Sequence, residues 1–332
     1  MVRRVSMMLA GAAATALCVT MAVAQADDDK VSNGGDAMKA ALKATGYQGE
    51  PGKIESSLND TKIASLQIDE FKSSVSRADA AQIVGDLVQG GLGIGQTLPG
   101  ATVTLDGRDV AVDGEGRFII GFDRDHPKAA EVVILLPDGS APIQRVLAIA
   151  PRDFPTQSLT LDQSKVSGFT EAQLEEIRVS TAKKDAARAK PSPRTAYWAN
   201  GFVWPVTGPI SGVFGSQRIL NGEPKRPHSG VDVAAPTGSD IVAPADGIVT
   251  LAETGMYFEG GLVFIDHGQG LESALMHMSR VDVEAGDEVK KGDVIGAVGA
   301  TGRATGPHLH WSLKWQDRLV DAQLVVGEMP DS

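Results

Sequence analysis

Two histidines flank a single leucine in the stretch TGPHLHWSL (305–313), and their spacing suggests a shared chemical role. Residues i and i+2 of a β-strand point to the same face, so His308 and His310 would lie side by side on a strand, with Leu309 facing the core. Neighbouring neutral imidazoles suit metal binding or proton transfer. Five of the six histidines lie after residue 200, which favours a functional cluster over a chance surface pair.

A second candidate pair lies upstream in RPHSGVDVAAP (226–236), where His228 precedes Asp232 by four residues. The proline, the glycine and the β-branched residues around this pair predict a loop that leads into a strand. A catalytic zinc site needs three protein ligands and one open position. His228, Asp232 and either His308 or His310 would complete that count, and the remaining histidine would serve as an acid or base beside the metal.

Two further histidines follow strand-like patterns in the same region. His277, in ESALMHMSR, could act on a substrate or be a buried structural residue, and periodicity alone favours neither. His267, at the end of VFIDHGQG, is interpreted as structural, because an imidazole at a glycine turn can satisfy backbone groups.

The N-terminus has the features of a secretory signal peptide. Arg3 and Arg4 precede an uncharged, mostly apolar run, and small residues follow at a suitable cleavage position. We therefore expect residues 1–26 to be a signal peptide that directs the protein across the inner membrane, to the periplasm or the cell wall, with no stable membrane insertion after cleavage. The alternative is a retained anchor. The only cysteine, Cys18, lies in this segment, so metal ligands in the mature chain must be His, Asp or Glu.

Length and charge restrict the possible partners. The chain has 332 residues, a formal net charge of −11 and no basic cluster, so we expect no binding to nucleic acid. The length predicts two or more domains. The sequence does not specify the oligomeric state.

Composition changes separate two segments in the first half. Residues 27–95 are rich in small and polar residues, with one predicted helix over 76–89 capped by Ser76, and could be loosely ordered or could fold back as a plug. Residues 96–163 alternate apolar and polar side chains around DG turns, which predicts a small antiparallel β-sandwich.

A linker and a second β-rich segment follow. Residues 164–200 are predicted to hold a helix over 170–189, with Thr170 and Gln173 as a capping box, and a proline-containing linker. Residues 201–328 are dense in Gly, Val and Ile, with many short alternating stretches, and predict an antiparallel β-domain. The predicted fold class is therefore mainly β.

Several motifs of this last segment occur together in a fixed order. HSGVD, LMHMS and GPHLHW, separated by APADGIVTLAE, IDHGQG and GDEVKKGDVIGAVGATG, resemble the LytM-type M23 family of zinc metallopeptidases over about residues 202–325. The resemblance implies a Zn²⁺ cofactor and cleavage of peptide bonds in peptidoglycan stem peptides or crosslinks by zinc-activated water, in an open groove of a β-domain. It also implies the roles of five residues: zinc ligands His228, Asp232 and His310, and catalytic histidines His277 and His308.

One position departs from the pattern of this family. Many relatives carry tyrosine two residues before the first catalytic histidine, where this chain has Leu275. Because residues i−2 and i share one face of a strand, we expect a groove wall that lacks a hydroxyl group.

Two other functions share features with this sequence. The main alternative is a non-catalytic M23-like module that binds the wall or activates an amidase, but such modules lose site residues and this chain has all five. A biotinyl or lipoyl carrier domain has a similar Gly- and Val-punctuated pattern, but Lys290 and Lys291 lie in a charged turn unlike a modification site. The sequence therefore favours an active endopeptidase.

Overall fold

The computed structural model describes residues 76, 79–159, 168–220 and 222–330. The predicted signal peptide and most of the predicted segment 27–95 lie outside the described residues. Within them the chain is mainly antiparallel β-structure, so the predicted fold class is confirmed. None of the helices in the described ranges is long and apolar enough to cross a membrane.

Two small sheets form the first part of the described chain. Antiparallel pairing joins the strands of each one. The first sheet has the order β1-β2-β5 and the second the order β4-β3-β6-β7, with these bounds: β1 (Gln82–Gly85), β2 (Leu92–Gln96), β3 (Thr102–Leu105), β4 (Arg108–Val110), β5 (Arg117–Gly121), β6 (Ala129–Leu135) and β7 (Ile143–Ala148).

The prediction of a helix over residues 76–89 is wrong. The middle of that stretch is the strand β1, whose Ile83 pairs with Gly95 and whose Val84 pairs with Ile94. β-Branched residues suit a pleated strand, and the chain reverses at Gly90, whose φ of 81° is readily adopted by glycine. Strand pairing therefore overrides the helical spacing of apolar residues. Strand β2 also runs across the boundary predicted between residues 95 and 96.

The next strand and the linker helix lead towards the second half. Strand β8 (Thr156–Leu159) leaves the small sheets and pairs in parallel with a later strand, β10 (Gln217–Leu220). Helix α1 (Glu171–Arg188) begins at the predicted capping box, in which the backbone N–H of Thr170 donates to Gln173 and that of Gln173 donates to Thr170. The predicted helix over 170–189 is confirmed.

An eight-stranded antiparallel sheet dominates the second half of the chain. Its order is β18-β14-β15-β16-β20-β12-β9, and β21 pairs with β20. The strands of this sheet are β9 (Ile210–Gly212), β12 (Val231–Ala234), β14 (Gly247–Met256), β15 (Gly260–Asp266), β16 (Leu271–Met278), β18 (Glu288–Val289), β20 (His308–Trp315) and β21 (Arg318–Val320).

Smaller elements surround this sheet. They comprise a 3₁₀ turn (Tyr197–Asn200), β11 (Glu223–Pro224) beside β10, the three-stranded sheet of β13 (Asp240–Val242), β17 (Arg280–Val281) and β19 (Val294–Ala297), and the short helix α2 (Ala322–Val326).

The core lies against one face of β20 and extends to the first sheet. Leu309, Trp311, Leu313 and Trp315 alternate along β20 and are fully buried. Beyond the end of β20, at the start of β21, Nη1 of Arg318 donates to the carbonyl oxygen of Gly121, the last residue of β5, over 3.0 Å. The alternate residues of β20, which include both histidines, therefore lie on the opposite face.

Candidate functional site

Strand register brings the histidine pair next to the predicted aspartate. The residues of HLHW open β20, as predicted for a strand, and β12 pairs with it so that Asp232 lies opposite His310 and Ala234 lies opposite His308. Directly opposed residues of antiparallel strands share one face of the sheet. Both imidazoles and the carboxylate therefore lie on one face of the sheet, and Leu309 points to the other face.

Three of the predicted residues form a compact group of possible metal ligands. Nδ1 of His310 lies 2.7 Å from Oδ1 of Asp232, and Nε2 of His228 lies 3.2 Å from Oδ2 of the same carboxylate. One ligand atom from each residue lies within 4.8 Å of those of the other two. His228 reaches this position from the loop that precedes β12, as its surrounding proline and glycine predicted.

Outer hydrogen bonds orient both imidazoles of this group. Nδ1 of His228 lies 3.0 Å from the carbonyl oxygen of Val213, which can only accept, so Nδ1 carries the proton and Nε2 faces Asp232. Nε2 of His310 lies 3.2 Å from Oγ of Ser229, which leaves Nδ1 towards the carboxylate. Such outer partners set the tautomer of metal-binding histidines.

The charges of the group suit a divalent cation. Burial acts to raise the pKa of Asp232, but its interactions with the His228 and His310 side chains outweigh burial and hold that pKa well below its usual range. Burial lowers the pKa of His310. Metal binding requires an ionised carboxylate and neutral imidazoles, and the pKa shifts of Asp232 and His310 favour these forms. Two imidazole nitrogens and one carboxylate are a donor set that fits Zn²⁺.

A glycine that the sequence analysis missed makes room for the carboxylate. Gly212 ends β9 and pairs with Asp232. A Cβ atom at Gly212 would overlap Oδ2 of Asp232 and lie 3.1 Å from Cε1 of His228. The sequence contains no signal for this requirement, because it depends on which strand lies beside β12.

A β-bulge positions the fourth histidine. On β15 and β16, Gly261 pairs with Met278 and Leu262 pairs with Met276, so His277 is the extra residue between the two pairs. Its φ is 66°, in the left-handed region that few non-glycine residues adopt. Bulges with such a residue often redirect a side chain next to an active site.

Backbone contacts hold His277 in this conformation. Its N–H donates to the carbonyl oxygen of Glu259 over 2.8 Å, and its Nδ1 donates to the carbonyl oxygen of Thr301 over 2.9 Å. The ring centroid lies 4.7 Å from that of His308. Burial lowers the pKa of His277, which favours the neutral imidazole.

His308 is oriented in the same manner as His277. Its Nδ1 donates to the carbonyl oxygen of Gly306 over 2.8 Å, and its Nε2 lies 3.8 Å from Oδ1 of Asp232. Each of the two histidines therefore has Nδ1 engaged with the backbone and keeps Nε2 for other partners. The structure thus brings all five predicted residues together at one end of the sheet.

The expectation that Leu275 lines the groove wall is wrong. Leu275 lies opposite Trp311 and is fully buried on the core face. The bulge at His277 interrupts the two-residue alternation, so Leu275 and His277 do not share a face. Met276 instead pairs with His310 and is the residue of β16 on that face.

His267 lies outside this group. It is fully buried, and its Nδ1 donates to the carbonyl oxygen of Asp246 over 2.7 Å while its Nε2 lies 2.8 Å from Oγ of Ser273. Burial lowers its pKa to about 4. These contacts agree with the structural role assigned to His267 from its turn.

Part of the chain is similar to known proteins. Residues 226–322 match the model of peptidase family M23, and this range contains all five residues of the group. The DD-carboxypeptidase/endopeptidase Mpg of Neisseria meningitidis is 40% identical over 107 residues, which cover 32% of this chain and 24% of Mpg. The peptidoglycan DD-endopeptidase ShyA of Vibrio cholerae is 40% identical over 96 residues, which cover 29% of this chain and 22% of ShyA.

The match spans about a quarter of the length of these curated relatives. A longer likeness exists to a crystal structure described as a putative peptidase M23 from Pseudomonas aeruginosa. It has a TM-score of 0.54 and 30% sequence identity, and it covers 72% of this chain and 95% of the other. This likeness therefore extends beyond residues 201–328 into the front of the chain.

Proposed function

This chain belongs to peptidase family M23, and from that premise we propose that it is a zinc-dependent endopeptidase that cleaves peptide bonds in peptidoglycan outside the cytoplasm. One observation carries the proposal: the possible metal ligands and two further oriented histidines converge on one side of the sheet within the family match. The substrate class is supported by the names of the relatives, among them a peptidoglycan DD-endopeptidase.

The chain would hold Zn²⁺ through Nε2 of His228, the carboxylate of Asp232 and Nδ1 of His310. Zinc in a three-ligand protein site polarises a substrate carbonyl and lowers the pKa of bound water to about 7. The hydrogen bonds to Val213 and Ser229 keep both imidazoles aimed at one point, so the ligand set is organised by the fold itself.

His277 and His308 would carry the proton transfers. Because Nδ1 of each donates to a backbone carbonyl, Nε2 is the atom that can accept a proton from the attacking water. That proton then passes from Nε2 to the leaving amine nitrogen as the peptide C–N bond breaks. The other imidazole can donate from Nε2 to the carbonyl oxygen, where negative charge develops, only in its imidazolium form, because its Nδ1 proton is held by the backbone.

The lowered pKa of His277 supports this assignment. Its burial disfavours the imidazolium form, so the ring is neutral near pH 7 and can accept a proton. The alternative of a non-catalytic, amidase-activating module is disfavoured, because such a module does not require five oriented side chains.

The test uses the full-length protein and purified peptidoglycan. Zinc-loaded protein is incubated with peptidoglycan, and the released muropeptides are identified by mass spectrometry. We expect products of peptide-bond cleavage that disappear with a chelator and return on adding zinc. His308→Ala, a protein that should still bind zinc, is the control for contaminating hydrolases. Wall binding without any new muropeptide would contradict the proposal and support the non-catalytic alternative.

A further inference from the structure

A short segment after β9 wraps around the metal-ligand candidate His228. We call residues 213–217 the strap. The carbonyl oxygen of Val213 accepts from Nδ1 of His228 over 3.0 Å, the N–H of Gly215 donates to the carbonyl oxygen of His228 over 2.9 Å, and the N–H of His228 donates to the carbonyl oxygen of Ser216 over 2.8 Å. The strap thus holds both the backbone and the ring of His228.

The opposite side of the strap is held by the front of the chain, by which we mean residues 82–159, from β1 to β8. Nε of Arg124 donates to the carbonyl oxygen of Gly215 over 2.8 Å. The N–H of Gln217 donates to the carbonyl oxygen of Pro155 over 2.9 Å, at the start of the parallel pair of β8 and β10. The five-residue strap therefore contacts His228 on one side and the front of the chain on the other.

Phe154 supplies the packing surface beneath the strap. A Cβ atom at Gly215 would overlap the Phe154 ring, and the φ of Gly215 is 75°, so backbone and ring approach closely only because this residue is glycine. The Phe154 ring also packs edge to face against Phe214, with 6.0 Å between ring centroids. Cζ of Arg124 lies 4.7 Å from the centroid of Phe154, so the guanidinium group stacks on the ring that supports the strap.

The strap needs this support because it lies beyond the edge strand of the eight-stranded sheet. Strand β9 ends at Gly212, and its pairing with β12 shifts register between Asp232 and Val233. Past that point the backbone of the strap bonds to His228 and to the front of the chain. Within the strap, Oγ of Ser216 donates to the carbonyl oxygen of Val213. Movement of the strap would therefore move the acceptor that fixes the tautomer of His228.

We propose that the front of the chain positions the metal ligand, through Arg124 and Phe154 acting on the strap, so that zinc affinity depends on contacts outside residues 201–328. Arg124 and Phe154 are positioning residues, because they contact the strap and not the metal ligands. The inference rests on the proposed function only in requiring that His228 binds zinc. It goes beyond that function by giving the front sheets a role in the site.

The test measures zinc affinity by competition with a chromophoric chelator, in full-length protein at constant pH. Outer partners of metal-binding histidines typically contribute about 10–100-fold in affinity, so Arg124→Met and Phe154→Ala should each raise the zinc Kd by about tenfold. Arg124→Lys, which keeps a donor, should recover part of the loss. Excess zinc should restore turnover to Arg124→Met.

Arg108→Met is the matched control. Arg108 also lies in the front of the chain, but it pairs with Asp317 at the surface and is half exposed. Its zinc Kd should equal that of the parent protein. Unfolding temperatures of the metal-free variants are measured in parallel, since a merely structural role would lower them without changing the zinc Kd.

The outcomes separate this inference from the proposed function. If Arg124→Met and Phe154→Ala both have the same zinc Kd as the parent protein, the positioning role is overturned, whatever their unfolding temperatures. Absence of zinc binding by the parent protein would contradict the proposed metal site itself. A raised Kd in the two variants but not in Arg108→Met supports the inference.

Discussion

His310 and Asp232 are 78 residues apart in the chain, yet Nδ1 of the histidine lies 2.7 Å from Oδ1 of the aspartate. The contact follows from strand register, because the two residues lie directly opposite each other on β20 and β12. A one-residue slip of this pairing would turn one of them to the core face. The register that buries Leu309 and Trp311 therefore also assembles the candidate ligands.

Replacement of the shared carboxylate should abolish tight zinc binding. Asp232→Ala removes one of three ligands and the only negative charge among them, so we expect zinc content well below one atom per chain after dialysis. Elemental analysis measures this. Asp240→Ala removes an exposed carboxylate of β13 and should keep the zinc content of the parent. Full occupancy in Asp232→Ala would show that the assigned ligand set is incorrect.

The two histidines of HLHW should separate metal binding from proton transfer. His308→Ala should retain zinc and lose about 10²–10⁴-fold in turnover, because acid–base groups contribute that much. His310→Ala should lose zinc and turnover together, since its Nδ1 faces Asp232 directly. Zinc content and muropeptide release are measured for both. Equal loss of zinc in the two variants would contradict the division of roles.

The buried histidine outside the site should make stability depend on pH. The pKa of His267 is about 4 in the folded protein, below its usual 6.5, so the unfolded chain binds more protons between these values. The contribution of His267 to the free energy of unfolding should therefore be fully present above pH 6.5. It should fall by about 3 kcal/mol as the pH drops towards 4. Urea unfolding with a chelator present, which removes any effect of metal release, measures this change.

His267→Asn is the comparison for that measurement. Asparagine can still donate to the carbonyl oxygen of Asp246 but does not titrate. The difference in unfolding free energy between the parent and this variant should shrink as the pH falls from 6.5 to 4. A difference that stays constant over this interval would mean that His267 does not titrate as described.

An ion pair between the linker helix and the turn before β15 should stabilise the fold. Lys184 pairs with Glu259, and their side chains are only 18% and 11% exposed. Lys184→Met would leave a largely buried carboxylate without its partner. Removing one partner of a fully buried ion pair lowers the free energy of unfolding by about 3–5 kcal/mol, and we expect a loss of about 3 kcal/mol for this pair. Chemical unfolding measures the loss.

The neighbouring lysine provides a matched control for Lys184. Lys183 pairs with Glu253, with side chains 44% and 29% exposed, and such surface pairs contribute about 0–1 kcal/mol. Lys183→Met should therefore change the unfolding free energy little. Similar losses in both lysine variants would argue against a special role of the buried pair.

Introducing tyrosine at position 275 should disturb the core and leave the groove unchanged. Leu275 is fully buried opposite Trp311, so Leu275→Tyr adds volume and a hydroxyl to a packed region. Overpacking of this kind costs about 1–3 kcal/mol. We expect a lower unfolding temperature with no gain in turnover. An increase in turnover at unchanged stability would indicate that position 275 does face the groove.

Local patterns in the sequence identified much of the site and part of the fold. The alternation in HLHW placed His308 and His310 on one face, and the capping box located the start of α1 at Thr170. The same local reasoning failed over residues 76–89, where apolar spacing suggested a helix. It also failed at Leu275, because alternation assumes a regular strand and β16 contains a bulge.

The sequence by itself determined which residue types carry the chemistry, their order and the shared side of β20 that His308 and His310 occupy, because these follow from composition and from the geometry of a regular strand. Only the tertiary structure decided the left-handed bulge at His277, the room that Gly212 leaves for the carboxylate of Asp232 and the parallel pair of β8 and β10. Each depends on the register and closeness of a strand distant in the chain. The backbone carbonyls that orient His228, His277 and His308 carry no side-chain signal, since every residue has one.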